Sequence, residues 1–166
     1  MIVIDKKWII FNKEPTLGDC SAELLIGPPF AMDIEQYMRS QSAERQTIMR
    51  DIHQIILELD PTVQPLVELM MGKEMVVYKC QRMMKYGLAA GKSYLSLHAM
   101  PIYGSPTLHA RYKELLPNAH FQKGCINFAD EAAMPLDVLR NLIAECARID
   151  LRKIKEQYLQ SRTGKT

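Results

Sequence analysis

The sequence lacks the features that build disulfide frameworks, structural metal sites and membrane spans. Its four cysteines lie far apart, and they are Cys20, Cys80, Cys125 and Cys146. Structural zinc sites are normally built from closely spaced ligand pairs, so no structural metal is expected. The apolar stretch near the N-terminus is interrupted by Asp5, Lys6 and Lys7, which makes it neither a secretory signal nor a membrane span. We therefore expect reduced thiols in a cytoplasmic protein.

A large excess of charge of either sign is also missing. The net charge is +2, with 48% apolar and 24% charged residues, which is the composition of an ordinary soluble globular protein. Such a chain has no overall field that would attract nucleic acid or acidic membranes, so neither is expected as a partner. The expected partner is an unidentified small ligand or protein, and the chain is expected to be a monomer or a homodimer.

A Gly-Lys-Ser triplet at residues 91–93 suggests a phosphate-binding loop, but its surroundings do not fit. Gly87 and Gly91 enclose only three residues, whereas the nucleotide-binding pattern needs four. A period-two pattern, typical of a strand, follows Ser93 at the place where a helix would have to receive the phosphates. We predict instead that Gly91 turns the chain between two antiparallel strands, with Lys92 beside the turn.

The pattern along the chain predicts helices before and after a block of strands. Helices are expected to begin after the caps Asp33 and Ser42, and the second one to end at Asp60. The later elements are strands at 63–69, 75–78, 86–90, 92–99 and 120–128, a helix at 107–116, and a helix from Pro135 that continues into the basic tail. This order predicts an α+β fold with an antiparallel sheet covered by N-terminal and C-terminal helices. Pro65 confines the first strand to an edge or to irregular pairing.

Two further predictions concern burial and the N-terminal segment. The second helix carries an apolar stripe in which Ile52 is expected to be buried against Leu97 of the sheet. Residues 2–11 have the composition of a strand, and a strand needs a neighbour for its backbone N–H and C=O groups. We expect this strand to pair with its own sheet or with a second chain.

Three phrases occur in an order that is typical of a known family. They are Pro28–Pro61, with two helices and a terminal proline, Gly87–Pro101, with a strand pair and a lysine in its turn, and Lys123–Cys146, with a turn, a strand and a Leu-rich helix. Together they resemble the YdhG-like domain family, a family of unknown function. Many members have a histidine two residues after the turn lysine, where this chain has Tyr94. The resemblance implies a YdhG-like α+β domain at 28–148, an N-terminal extension with a strand at 1–27, and a basic helical tail at 149–166.

No catalytic constellation can be assembled from the sequence. It contains no Gly-x-Ser-x-Gly elbow, no cysteine that the local sequence links to a histidine, and no outstanding pair of carboxylates. No two histidines are four residues apart, and they are His53, His98, His109 and His120. We therefore expect a protein that is not an enzyme.

Iron binding is the alternative function that the resemblance implies, because some members of the family are described as frataxin-like iron chaperones. Iron favours carboxylate oxygens, and the best candidate row is Glu44, Asp51 and Glu58 on the second helix. Seven residues span about 10 Å of helix, so neighbouring members of this row cannot chelate one ion by themselves. A solvated helix edge is the favoured interpretation, and no cofactor is predicted.

The most informative candidate site lies on the strand that follows Lys92. Strand alternation places Tyr94, Ser96 and His98 on one face and the apolar residues between them on the other. Tyr78 or Tyr86 is expected to join this polar face from a neighbouring strand. The face is either a half-buried polar surface or the wall of a ligand cleft. The favoured function is a small binding or interaction protein of unknown ligand.

Overall fold

The computed structural model describes residues 32–70, 72–129 and 134–163 of the protein. Their helices and strands, in chain order, are α1 Ile34–Arg39, α2 Ala43–Leu59, β1 Gln64–Met70, β2 Lys73–Cys80, β3 Met83–Ala90, β4 Leu95–Ala99, α3 Met100–Gly104, α4 Pro106–Leu115, β5 Ala119–Gln122, β6 Cys125–Phe128, α5 Leu136–Ala147 and α6 Leu151–Thr163. The strand predicted at 2–11 lies outside these ranges, and its pairing stays a prediction.

The strands form one antiparallel sheet in the order β1-β2-β3-β4-β6-β5. With helices before and after the strands, this is the predicted α+β fold. β1, which contains Pro65, lies at the edge of the described sheet, where a missing N–H costs least. β3 and β4 form the predicted hairpin around Gly91, and Lys92 is exposed beside the turn.

One face of the sheet, called here the helix-covered face, packs against α2 and α5. Both helices contribute buried residues to a single apolar cluster with the sheet. Ile52 of α2 and Leu97 of β4 are 1% and 0% exposed, as predicted. The other face, called the opposite face, has a smaller apolar cluster that includes Met75, Val77 and Ala89.

Two predicted elements are wrong in their extent. The single strand predicted at 120–128 is a hairpin of β5 and β6, because the chain reverses at Lys123, which has a φ of 52°. The last helix does not continue into the basic tail. It ends at Ala147, and a separate helix, α6, begins after Asp150, whose side chain accepts the backbone N–H of Arg152. No helix in the part of the chain that the structure describes is long and apolar enough to cross a membrane.

Candidate functional site

A β-bulge in β3 turns two neighbouring side chains toward one carboxylate. The register of β2 against β3 shifts between Tyr78 and Lys79, which leaves Lys85 as the extra residue. Successive side chains of a regular strand point to opposite faces, whereas a bulge re-aims them. As a result, Lys85 Nζ and Tyr86 Oη lie 2.8 Å and 2.9 Å from the same oxygen, Oδ2 of Asp60.

Hydrogen bonds satisfy the carboxylate of Asp60, which is only 1% exposed. Its Oδ2 accepts from Lys85 and Tyr86, and its Oδ1 accepts from the hydroxyl and the backbone N–H of Thr62. An ionised carboxylate has about four acceptor positions, so these donors fill them all. A buried charge is tolerated when it is paired and hydrogen-bonded in this way.

The ammonium of Lys85 lies where two helices end. Asp60 follows the last residue of α2, and Lys85 Nζ donates a 3.0 Å hydrogen bond to the carbonyl oxygen of Ala147, the last residue of α5. Helix C-termini carry partial negative charge, so both ends favour a cation here. An ammonium has three N–H donors. The third donor of Lys85 has no hydrogen-bond partner within residues 32–70, 72–129 and 134–163.

A pocket of about 170 Å³ is lined in part by Lys85. Its walls come from the β2–β3 hairpin, from the turn between α2 and β1 and from the junction of α5 with α6, and they include Thr62, Cys80, Met83, Lys85, Ala147 and Leu151. We call it the Lys85 pocket. Arg148 and Asp150 also line it and bring one charge of each sign to its rim.

Burial fixes the protonation states of the groups around Lys85. It raises the pKa of Tyr86 far above the usual range, and the nearby Cys146 and Asp60 add to this shift. Burial also raises the pKa of the Cys146 thiol to about 12. Tyr86 therefore stays a hydrogen-bond donor and Cys146 a thiol at neutral pH, so the cluster has one cation and one anion.

The structure brings two of the sequence-predicted site residues together on the opposite face. Ser96 Oγ lies 3.4 Å from His98 Nε2, and both residues are buried. Cys125 joins them from β6, with its Sγ 3.0 Å from His98 Nδ1. Tyr94 is half-buried immediately before β4, and its hydroxyl lies 3.4 Å from Lys73 Nζ. The sequence did not link Cys125 to a histidine, because the two residues meet only through strand pairing.

Tyr78 and Tyr86 do not join this polar face, contrary to the expectation. Tyr86 pairs directly with Tyr78 and with Ala99, and side chains directly opposite each other share a face. Both tyrosines therefore belong to the helix-covered face. There Tyr78 is fully buried, and its hydroxyl lies 2.9 Å from Nδ1 of His53 on α2.

The carboxylates of the iron alternative lie separately along α2. Glu44 and Asp51 are exposed, and Glu58 is bound by Arg140 of α5 at 2.6 Å. Within the described ranges, no group of three or more His, Cys, Asp or Glu side chains could hold a metal ion. Whether the three carboxylates bind iron stays a prediction.

One solved structure is similar in fold to this chain. No protein-family model matches the chain, and no curated protein matches it. The chain is similar to the crystal structure of a protein of the DUF1801 family, YdhG from Bacillus subtilis, with a TM-score of 0.49 and 11% sequence identity. The match covers 65% of this chain and 82% of that one. The neighbour, YdhG, has the same name as the family that the three sequence phrases resemble. The fold of this chain is established by its own strand order and register, and not by this similarity.

Proposed function

We propose that the protein is a cytoplasmic small-molecule-binding protein that uses the Lys85 pocket, without a cofactor and without turnover of its ligand. One observation carries the proposal. Lys85, a residue that is 3% exposed, lines an open pocket, and one of its three ammonium donors has no hydrogen-bond partner among the described residues. Buried polar groups are normally satisfied, so an acceptor on a ligand would complete this one. The free thiols of Cys80, Cys125 and Cys146 support a reducing compartment.

The size and charge of the pocket restrict the ligand. A cavity of about 150 Å³ holds benzene, so the 170 Å³ of this pocket suits a molecule of similar size, or the end of a larger one. The lining carries the charges of Lys85, Arg148 and Asp150. Asp60 lies outside the lining but binds Lys85, so these four charges sum to zero. Met83 and Leu151 add apolar surface. We expect a neutral or zwitterionic ligand with an oxygen acceptor and an apolar body.

A fragment screen on the full chain tests this proposal. The probes are neutral fragments of benzene size that have a carbonyl or hydroxyl oxygen, and binding is measured by protein-observed NMR. We expect at least one fragment to bind saturably with a Kd of about 1 mM, which corresponds to about −4 kcal/mol. The shifted resonances should belong to residues that line the Lys85 pocket.

A filled pocket provides the matched comparison. Ala147→Phe adds a ring to the pocket wall and leaves the backbone carbonyl that accepts from Lys85 unchanged. It should weaken fragment binding by about tenfold or more, or 1.4 kcal/mol. Ala110→Phe, on the exposed side of α4, makes the same chemical change away from the pocket and should not affect binding. Absence of any saturable fragment, or unchanged binding to folded Ala147→Phe, would refute the proposal.

A further inference from the structure

A second group of reactive side chains lies on the opposite face of the sheet, away from the Lys85 pocket. His98 of β4 is directly opposite Cys125 of β6, and Ser96 is directly opposite Asn127. Directly opposed residues of antiparallel strands point to the same face, so the four side chains form one compact group. Ser96 and His98 are buried, whereas Cys125 and Asn127 are half-buried.

The contacts within this group resemble those of an assisted nucleophile. Cys125 Sγ lies 3.0 Å from His98 Nδ1, and His98 Nε2 lies 3.4 Å from Ser96 Oγ. When Nε2 carries the ring proton and donates a hydrogen bond to Ser96 Oγ, Nδ1 is left to accept the thiol proton. A nucleophile within hydrogen-bond reach of a base, with the base oriented by a third group, is the arrangement that activates thiols and hydroxyls.

We propose that Cys125 is a modification site that forms mixed disulfides with low-molecular-mass disulfides, and that His98 acts as its base. The thiol proton moves to His98 Nδ1 as Cys125 Sγ attacks one sulfur of the incoming disulfide. The S–S bond of the reagent breaks, and the departing thiolate takes the proton from the imidazolium. One disulfide is exchanged for another, so no separate oxidant is needed.

The resting pair is neutral. Burial raises the pKa of the Cys125 thiol. Burial also lowers the pKa of His98, and the charge of Lys73 on β2 adds to that shift. At rest the thiol therefore keeps its proton and the imidazole is neutral. The thiol proton moves to the imidazole only during attack. Reaction through such a pair depends on neutral His98, not on a standing population of thiolate.

Cys80 is a matched internal control. Like Cys125 it is a free, half-buried thiol, but it has no imidazole contact in the part of the chain that the structure describes. A thiol without a neighbouring base reacts through its thiolate. Cys146 is fully buried and is expected to stay unreacted.

The test uses the full chain with Cys20→Ser, so that only the three cysteines described above remain. Hydroxyethyl disulfide, a small neutral reagent, is added between pH 6.5 and pH 8, and each adduct is followed by peptide mass spectrometry. At pH 6.5 we expect Cys125 to react about tenfold faster than Cys80 or more, within the range of general-base assistance. The rate at Cys125 should also fall less steeply with decreasing pH than the rate at Cys80.

Two variants separate a base from a structural role. His98→Gln should lower the rate at Cys125 by about tenfold or more and restore a steep dependence on pH. Ser96→Ala keeps the imidazole and should have a smaller effect, with the shallow pH profile retained. Thermal melts establish that each variant is folded. The proposal fails if Cys125 reacts no faster than Cys80, or if folded His98→Gln reacts as the parent does. It also fails if Ser96→Ala, with its imidazole intact, shows the steep profile.

Discussion

The two faces of the sheet bury polar side chains in different ways. On the helix-covered face, Asp60 and Lys85 are charged, and each is held by several hydrogen bonds. On the opposite face, His98 and Cys125 are neutral and lie 3.0 Å apart, and His98 has one further contact, with Ser96 at 3.4 Å. Lys85 and His98 lie on the neighbouring strands β3 and β4, and they are 3% and 7% exposed. These two residues therefore differ more in chemistry than in depth.

The comparison shows what each kind of group needs before it can be buried. Moving an ion pair out of water costs several kcal/mol for each ion, and only close partners and further hydrogen bonds offset that cost. The ends of α2 and α5 and the bulge in β3 supply these partners to Lys85. An imidazole and a thiol avoid most of the cost by staying neutral, as the direction of their pKa shifts shows. Removal of one partner should therefore be severe on the helix-covered face and mild on the other.

Lys85→Met should have the largest effect on stability. The substitution keeps much of the side-chain length but leaves Asp60 buried without its counter-charge, which costs about 3–5 kcal/mol. Urea unfolding at pH 7 measures the loss. The double variant Lys85→Met/Asp60→Asn also removes the unpaired buried charge of Asp60. It should therefore recover part of the stability that Lys85→Met loses.

A control for the loss of a lysine as such is Lys92→Met. Lys92 is exposed beside the β3–β4 turn, so its substitution should change the free energy of unfolding by less than about 0.5 kcal/mol. If Lys85→Met were as mild as Lys92→Met, the buried ion pair would not hold the end of α5 as described.

Two adjacent residues of β4 compare the faces directly, with an intermediate effect. Leu97 is fully buried on the helix-covered face, so Leu97→Ala should cost about 2–5 kcal/mol. Ser96 points the other way and makes one long contact with His98, so Ser96→Ala should cost about 0.5–1.5 kcal/mol. Thermal melts of both variants compare the two losses of stability. Equal losses would mean that the two faces are packed equally tightly around β4.

The sequence predicted those features that depend on local periodicity. The apolar stripe of α2 and the alternation of β4 correctly placed Ile52 and Leu97 in the core, because period 3.6 and period 2 each define a face. Lys85 carried one usable signal, since it is the single charged residue within β3. The bulge that re-aims it has no local marker in the sequence.

The remaining contacts depend on the register of strand pairing, which the sequence alone does not determine. His98 and Cys125 meet because β6 pairs with β4 in one register out of several, and two helices and β5 separate them along the chain. The same argument explains why Tyr78 is not on the polar face, since its face depends on its pairing with Tyr86, which the sequence alone does not indicate. Long-range strand pairing thus determines both the His98–Cys125 contact, which the sequence did not indicate, and the true face of Tyr78, which differs from the expected one.

The smallest effect at neutral pH is the dependence of stability on mild acid, to which each face contributes one histidine with a lowered pKa. The folded-state pKa of His98 is lowered by burial below its usual 6.5, and so is that of His53 on the helix-covered face. The unfolded chain then binds protons below about pH 6.5 that the folded chain does not, so stability is fully present above this pH and falls as the pH decreases toward the folded pKa.

Urea unfolding between pH 7.5 and pH 5 should show this fall in the wild type. His98→Gln and His53→Gln should each reduce this fall in stability by the contribution of the histidine that is removed. Carboxylates with lowered pKa values, such as Glu58, affect stability only at lower pH. An unchanged slope in both variants would show that neither imidazole is desolvated enough to resist protonation, which would remove the neutral resting pair on the opposite face.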